Sequence, residues 1–319
     1  MNQFARMLGV FALFVLGTAN AQNYPVKPVR LIVPFAAGSL SDGLGRLLAK
    51  ELSVALGQQF VIDNKPGASA IIGAEATALA PADGYVLMLT TNTPQAANPS
   101  LFKKLPYNAV KDFTPIARIG YFPFVLLVNP SLPVKSVKEL IEYAHANPGK
   151  LSYATSNSMS LVSAETFNVL AQTDLQRIAY KSSPQALMDL MSGEIHVMIG
   201  DLGTAQTHIK SGKLRALGVA TAKRTRIAPD IPAIAESGLP NFDLVGWVGL
   251  VGPAKMPNDV VKKLYEHLAK IIARPEFQDQ MMAGGCEPAV APPEQFGAFI
   301  KQQIAEWAQR VKAAKIEPE

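Results

Sequence analysis

Val29-Arg30-Leu31-Ile32-Val33-Pro34-Phe35-Ala36-Ala37-Gly38-Ser39-Leu40-Ser41-Asp42-Gly43-Leu44-Gly45-Arg46-Leu47-Leu48-Ala49-Lys50-Glu51-Leu52 is the stretch on which the reading of this chain turns. Val29 to Pro34 is a short apolar, β-branched run that suits a buried strand, and Leu44, Leu47, Leu48 and Leu52 then recur at helical spacing. Strand passes to helix through Phe35 to Ser41, a turn of mostly small residues. The first N–H groups of such a helix lack intrahelical partners, and the positive end of its dipole favours an anion. The turn is therefore read as a holder for a carboxylate.

Outward from this stretch the same alternation continues. Phe60 to Asp63 is a second strand, Ile71 to Ala80 a helix, and Val86 to Thr91 a third strand ending in the polar turn Thr91-Asn92-Thr93. Regular alternation predicts an α/β fold with a mostly parallel sheet flanked by helices, and ligands of such sheets sit at the carboxyl ends of strands. Asn98 to Pro115 is rich in turn residues. Ile116 to Val128 is too long and apolar for a loop and reads as a strand crossing between two lobes.

A second series then opens with the capping box Ser136-Val137-Lys138-Glu139, a helix to about Ala146, and the strand Leu151 to Ala154. Thr155-Ser156-Asn157-Ser158-Met159-Ser160 is again a small polar turn feeding a helix, so the opening layout occurs once per half. Leu175 to Tyr180, Ile195 to Ile199 and Leu214 to Ala220 read as strands, with helices around Pro184 to Met191 and Thr204 to Ser211. Phe242 to Val251 is the return crossing, and three helical segments without intervening strands should follow it, near 258–273, 275–283 and 293–314. The expected organisation is a discontinuous first lobe of residues 22–123 and 245–319, a second lobe of 124–244, and a two-strand hinge.

Residues 1–21 stand apart: a basic start, an apolar core from Met7 to Leu16 and Ala19-Asn20-Ala21 resemble a secretory signal peptide. The core is about half the roughly 20 residues a membrane anchor needs. The charge surplus is small, with 30 Lys plus Arg against 25 Asp plus Glu, and the basic residues are dispersed, which disfavours nucleic acid as a partner. A single cysteine, Cys286, excludes an intramolecular disulfide.

Catalytic machinery is not apparent. No Gly-x-Ser-x-Gly occurs, the four histidines are dispersed, and neither a Cys pair nor His pairs at ligand spacing suggest a metal. Neither Gly149-Lys150 nor Gly212-Lys213 is followed by the Ser or Thr of a phosphate-binding loop. No cofactor is expected. Asp42 and Asp201 could pair across the lobes, yet Asp42 at a first helical turn reads better as shaping that turn. What remains is a set of small polar groups at turns: Ser39, Ser41, Thr91, Asn92, Thr93, Thr155, Ser156, Asn157 and Ser158. They suit recognition of a small anion more than turnover.

Several motifs bear a family stamp. Tyr24-Pro25-Val26-Lys27-Pro28-Val29-Arg30-Leu31-Ile32-Val33-Pro34-Phe35, Asp63-Asn64-Lys65-Pro66-Gly67-Ala68, Ala82-Asp83-Gly84-Tyr85, Tyr180-Lys181, Leu214-Arg215-Ala216-Leu217-Gly218-Val219 and Asp230-Ile231-Pro232 closely resemble the Bug family of periplasmic receptors of tripartite tricarboxylate transporters. The resemblance implies a two-lobed Venus-flytrap fold in the periplasm. A small organic carboxylate is then held by one strand-turn-helix loop per lobe, largely through backbone amides and ordered water, for delivery to membrane transporter subunits. Carried over by position, the loops are Phe35, Ala36, Ala37, Gly38, Ser39, Leu40, Ser41 and Asp42, and Thr155 to Ser158. Thr91 to Thr93, Tyr180 and Asp201 complete the expected ligand-binding set. Ala36-Ala37-Gly38-Ser39 stands where the family usually has Pro-Pro-Gly-Gly, so Ser39 is expected to add a donor. The protein is expected to be a monomer. A ligand sensor with a signalling partner, or a serine hydrolase using Ser39 or Ser41, are the alternatives.

Overall fold

The computed structural model describes residues 24–319, so the leader expected at residues 1–21 lies outside the described residues. The chain builds β1 (Val29–Val33), α1 (Leu40–Leu56), β2 (Phe60–Asn64), α2 (Ile71–Ala78) and β3 (Val86–Thr91). A π-helical turn at Thr93–Ala97, the short α3 (Asn98–Leu101) and the long β4 (Phe113–Val128) follow. Next come α4 (Val137–Ala146), β5 (Ser152–Thr155), α5 (Ser158–Ala171), β6 (Gln176–Ala179), α6 (Ser183–Ser192), β7 (Val197–Asp201), α7 (Leu202–Lys210) and β8 (Arg215–Val219). A 3₁₀ turn at Ile234–Ser237 leads to β9 (Val245–Pro253), α8 (Asn258–Ile272), α9 (Pro275–Ala283), β10 (Glu287–Ala291) and α10 (Pro293–Ala313).

The opening strand and helix form for the reasons their sequence suggests. Leu44, Leu48 and Leu52 bury one face of α1. At about 1.5–3 kcal/mol for each buried leucine, that face outweighs the roughly 1 kcal/mol of an N-cap. The helix stops at Gly57, whose φ of +69° lets its N–H bond the carbonyl of Ser53.

β1 pairs in parallel with β2 and β3, and β5 pairs in parallel with β6 and β7. Every antiparallel pairing involves β4 or β9. The fold is thus α/β and two-lobed, with β1 to β3 parallel in one lobe and β5 to β7 parallel in the other, inside a mixed sheet. The reason is β4 itself. Its first part, Phe113 to Pro123, lies against β9, whereas Phe124 to Val128 lies against β7. One strand therefore serves both sheets, and the return runs beside it: Leu244 N bonds Ala220 O just before Val245 pairs with Pro123.

The carboxy-terminal third departs from expectation. Glu287–Ala291 forms β10 between α9 and α10, with Glu287 opposite Tyr121 of β4 and an irregular register between Pro288 and Ala291. Pro288 cannot donate to a ladder, which disguises the strand in the sequence and fits its irregular pairing. The polar turn Thr91-Asn92-Thr93 enters a π-helical turn and is wholly buried.

Beside the crossing strands, α7 meets the turn before β10 with backbone against backbone. A Cβ on Gly203 would overlap the carbonyl of Gly284, and one on Gly285 would overlap the Gly203 backbone.

Candidate functional site

Four helix starts meet at one small recess of about 30 Å³. It is lined from one side by Phe35, Ser39, Leu40 and Ser41 and by Thr91, Asn92 and Thr93, and from the other by Asn157, Met159, Ser183 and Asp201, with Phe122 and Phe124 of β4 between them. A larger cavity of about 560 Å³ shares Phe35, Ser39, Asn157 and Ser183 with it. Ala36, Thr155, Ser156, Ser158 and Tyr180 line that larger cavity. Among the expected ligand residues, Ala37, Gly38 and Asp42 line neither. The chain turns at Gly38, with φ at +79°, and leaves Ala37 and Gly38 facing outward.

In the first turn, Ser39 is the N-cap of α1 and its hydroxyl accepts from Asp42 N at 3.2 Å. Its oxygen acts as an acceptor inside the turn, and the hydroxyl keeps its own proton as a donor. Asp42 is buried, and its carboxylate accepts from Gly38 N at 3.0 Å, Arg46 Nε at 3.1 Å and Asn64 Nδ2 at 3.0 Å. Burial pushes this carboxyl up, but Arg46, the Gly38 N–H and Asn64 together hold it below its ordinary value of 3.8. Asp42 therefore shapes the turn. With N3 capped, Leu40 and Ser41 hold the first-turn N–H groups that no intrahelical carbonyl reaches.

The second turn solves the same problem without charge. Asn157 is the N-cap of α5 and accepts from Ser160 N at 2.9 Å. The fully buried Ser160 hydroxyl accepts from Ser156 N at 2.9 Å and Asn157 N at 3.1 Å, and donates to Asn157 O at 2.9 Å. Ser158 and Met159 are left with the open N–H groups.

Ser183 and Asp201 add the third and fourth helix starts. Ser183 is the first residue of α6, and its hydroxyl lies 2.8 Å from that of Ser156. Asp201 caps α7, accepting from Thr204 N at 3.1 Å. Burial pushes the Asp201 carboxyl up, against the bonds from Thr204 and Ser183 that favour its charged form. Asp42 and Asp201 share no hydrogen-bond partner, so they do not form the carboxylate pair that was considered. In Tyr180, burial and the neighbouring Asp189 push the phenol up to about 12.

Asn92 is the outlier of the site. It is 1% exposed, and neither its amide nitrogen nor its amide oxygen has a partner. Leaving a buried polar atom unpaired costs on the order of 1–3 kcal/mol, so such a group calls for an explanation.

Sequence reading missed three contributors. Asn98 is fully buried and joins the lobes: Ser158 Oγ donates to its Oδ1 at 2.8 Å, while its own amide donates to Ser69 O at 2.9 Å. Asn98-Pro99 looked like the start of a loop. The loop Pro66 to Ala70 lines the larger cavity with Ala68, Ser69 and Ala70 all at positive φ, between 44° and 69°; no glycine marks those three positions. Arg177, on a strand with little apolar pattern, also faces this cavity.

Among the described residues, neither Ser39 nor Ser41 has a hydrogen bond to an imidazole. His145 Nε2 pairs with Ala171 O, His196 Nδ1 meets Ser152, and among the described residues no histidine lines either cavity.

Two α/β lobes joined by crossing strands, with helix starts converging between them, define the class of two-lobed periplasmic binding proteins. A sequence model described as "Tripartite tricarboxylate transporter family receptor" matches residues 44–316, and the chain belongs to that family. It is 32% identical over 311 residues to the protein BugT of Bordetella pertussis, covering 95% of each chain. Among solved structures, Rpa4515 of R. palustris with adipate is 34% identical, with a TM-score of 0.91 and coverage of 93% of this chain and 100% of that one. The periplasmic binding protein BugD is likewise 34% identical, with a TM-score of 0.88 and the same coverage. Receptors of this family are periplasmic solute-binding proteins and not enzymes.

Proposed function

We propose that this protein captures a small organic carboxylate between its two lobes and presents the closed form to a tripartite tricarboxylate-type transporter in the membrane. The lobes in this reading are residues 22–123 with 245–319, and residues 124–244, closing about β4 and the start of β9. One carboxylate of the ligand enters the recess, taking the open N–H groups of Leu40, Ser41, Ser158 and Met159 under the combined fields of four helix starts. The ligand's body occupies the larger cavity. Closure follows because the ligand touches both lobes only when they are together, so it binds that state better.

The orphaned amide of Asn92 is the observation that carries this reading. A polar group buried without partners at the meeting point of four positive helix ends suits a site completed by a polar anion. The relative whose structure holds adipate supports the carboxylate class.

The test is titration calorimetry against short organic acids, first with the native chain and then with Asn92→Leu. At least one acid should bind, and the variant should lose about tenfold or more in affinity, the range for hydrogen bonds to a charged group. Its stability should hold or rise, because an unpaired buried amide has been removed. Absence of binding to every acid by a folded native chain, or unchanged affinity in the variant, would sink the proposal.

A further inference from the structure

The larger cavity carries an ion pair made between the two lobes. Arg177 of β6 donates from Nε to Thr155 Oγ1 at 3.3 Å, and its Nη1 lies 3.6 Å from Glu319 Oε1. Thr155 is the residue that opens the second turn, so the guanidinium is fixed at the edge of the carboxylate site. Glu319 is held from the first lobe: Lys103 N donates to its carbonyl at 2.8 Å, and its own N–H donates to Leu101 O at 2.9 Å. Both side chains of the pair are substantially exposed, at 40% and 67%, so water screens it and it is easily exchanged.

We propose that Arg177 determines specificity in this receptor by selecting ligands with a second carboxylate, and that Glu319 occupies Arg177 until such a ligand displaces it. The inference rests on the receptor reading above. A ligand with one carboxylate fills the recess, leaves the Arg177–Glu319 pair as it is, and gains nothing from the guanidinium. A ligand with a second carboxylate at suitable reach is already tethered by the first, so its approach to Arg177 is intramolecular. The guanidinium fork then binds it through two parallel N–H donors, a better geometry than the single long contact to Glu319. Glu319 returns to water at little cost because it is mostly exposed already.

Calorimetric titration with acids of equal length provides the test: succinate against butyrate, glutarate against pentanoate, adipate against hexanoate. In the native protein the best dicarboxylate should bind about tenfold or more tighter than its monocarboxylate counterpart, given the strength of bidentate charged pairs. Arg177→Gln should erase that difference, its loss falling mainly on the dicarboxylates, and Arg177→Lys, which keeps the charge without the fork, should fall between. Glu319→Gln should tighten dicarboxylates several-fold and leave monocarboxylates unchanged, as removal of a weak competitor requires. Equal affinity of the native protein for both kinds of acid overturns the role of Arg177 and leaves the receptor reading standing. Equal weakening of both kinds by Glu319→Gln overturns the role of Glu319, since it marks the pair as a tie between lobes. Failure of every acid to bind defeats the receptor reading and this inference together.

Discussion

The two turns that start α1 and α5 occupy equivalent places in the two lobes, yet they are fixed by different chemistry. In the first, the N3 residue is Asp42, whose carboxylate reaches back to Gly38 N and is steadied by Arg46 and Asn64. In the second, the N3 residue is Ser160, whose neutral hydroxyl takes two backbone donors and returns its own proton to Asn157 O. Each device satisfies N–H groups that the turn would otherwise leave bare, and each leaves N1 and N2 open. The difference lies in charge. Asp42 places a negative charge near a site proposed to hold an anion, and Arg46 cancels much of it at 3.0 Å. The second turn carries no charge to cancel, so it offers the cleaner field.

This contrast can be broken by mutation. The largest effect is expected for Asp42→Ala, which frees the Gly38 N–H and strands Arg46 and Asn64. Stability should fall by about 2–3 kcal/mol, the range for bonds to a charged group. Ser160→Ala should cost less, about 1–2 kcal/mol for a neutral buried hydroxyl. Urea unfolding of the two variants compares them, and a larger loss in Ser160→Ala would reverse the argument. Smaller again, Ser39→Ala and Asn157→Ala should each cost about 1 kcal/mol as lost N-caps.

Acid separates the turns without mutation. Because the folded pKa of Asp42 is lowered, its stabilising contribution is present above the ordinary value of 3.8 and is lost as pH falls below it through the folded value. Hydrogen exchange at the start of α1 should quicken there, an effect absent in Asp42→Asn, whereas the start of α5 has no carboxylate in its turn and should show no such step. Asp201 runs the other way. Its folded pKa is raised, so its protonated form favours the fold below 3.8 and that gain is lost as pH rises through the folded value. Carboxylate affinity should weaken over the same rise as the recess gains a charge, and Asp201→Asn should flatten the curve. Smallest of all, 1 M salt should change the stability of the native protein by about 0.5 kcal/mol or less through the half-exposed Arg46 pair.

Much of this organisation was legible because it is written in local pattern. The run Val29 to Pro34 followed by Leu44, Leu48 and Leu52 announces β1 and α1, and the repeat of that layout at Thr155 to Ser160 announces the second lobe. Of the capping box expected at Ser136, half forms: Ser136 accepts from Glu139 N, while the Glu139 carboxylate accepts from Lys135 N and not from Ser136 N. Illegible features depend on partners distant in sequence. β10 is a strand only because β4 offers an edge to Glu287 and Pro288. Asn98 matters because Ser158, sixty residues away, meets it. Asn92 reads as a polar turn residue, and only burial without partners marks it out. Arg177 has no local signal, since its role depends on where Glu319 is docked.

The contact of Gly203 with Gly284 and Gly285 has a consequence for how such a receptor changes its preferences. Glycine on both sides lets main chain approach main chain at this point, a close fit that no longer side chain would allow. Residues that line the cavity away from this contact, such as Tyr180 and Ser183, can then be exchanged while the backbone contact is kept. In evolutionary terms, the lining of the cavity is freer to drift than Gly203, where a single methyl group would overlap the Gly284 carbonyl and force the two segments apart.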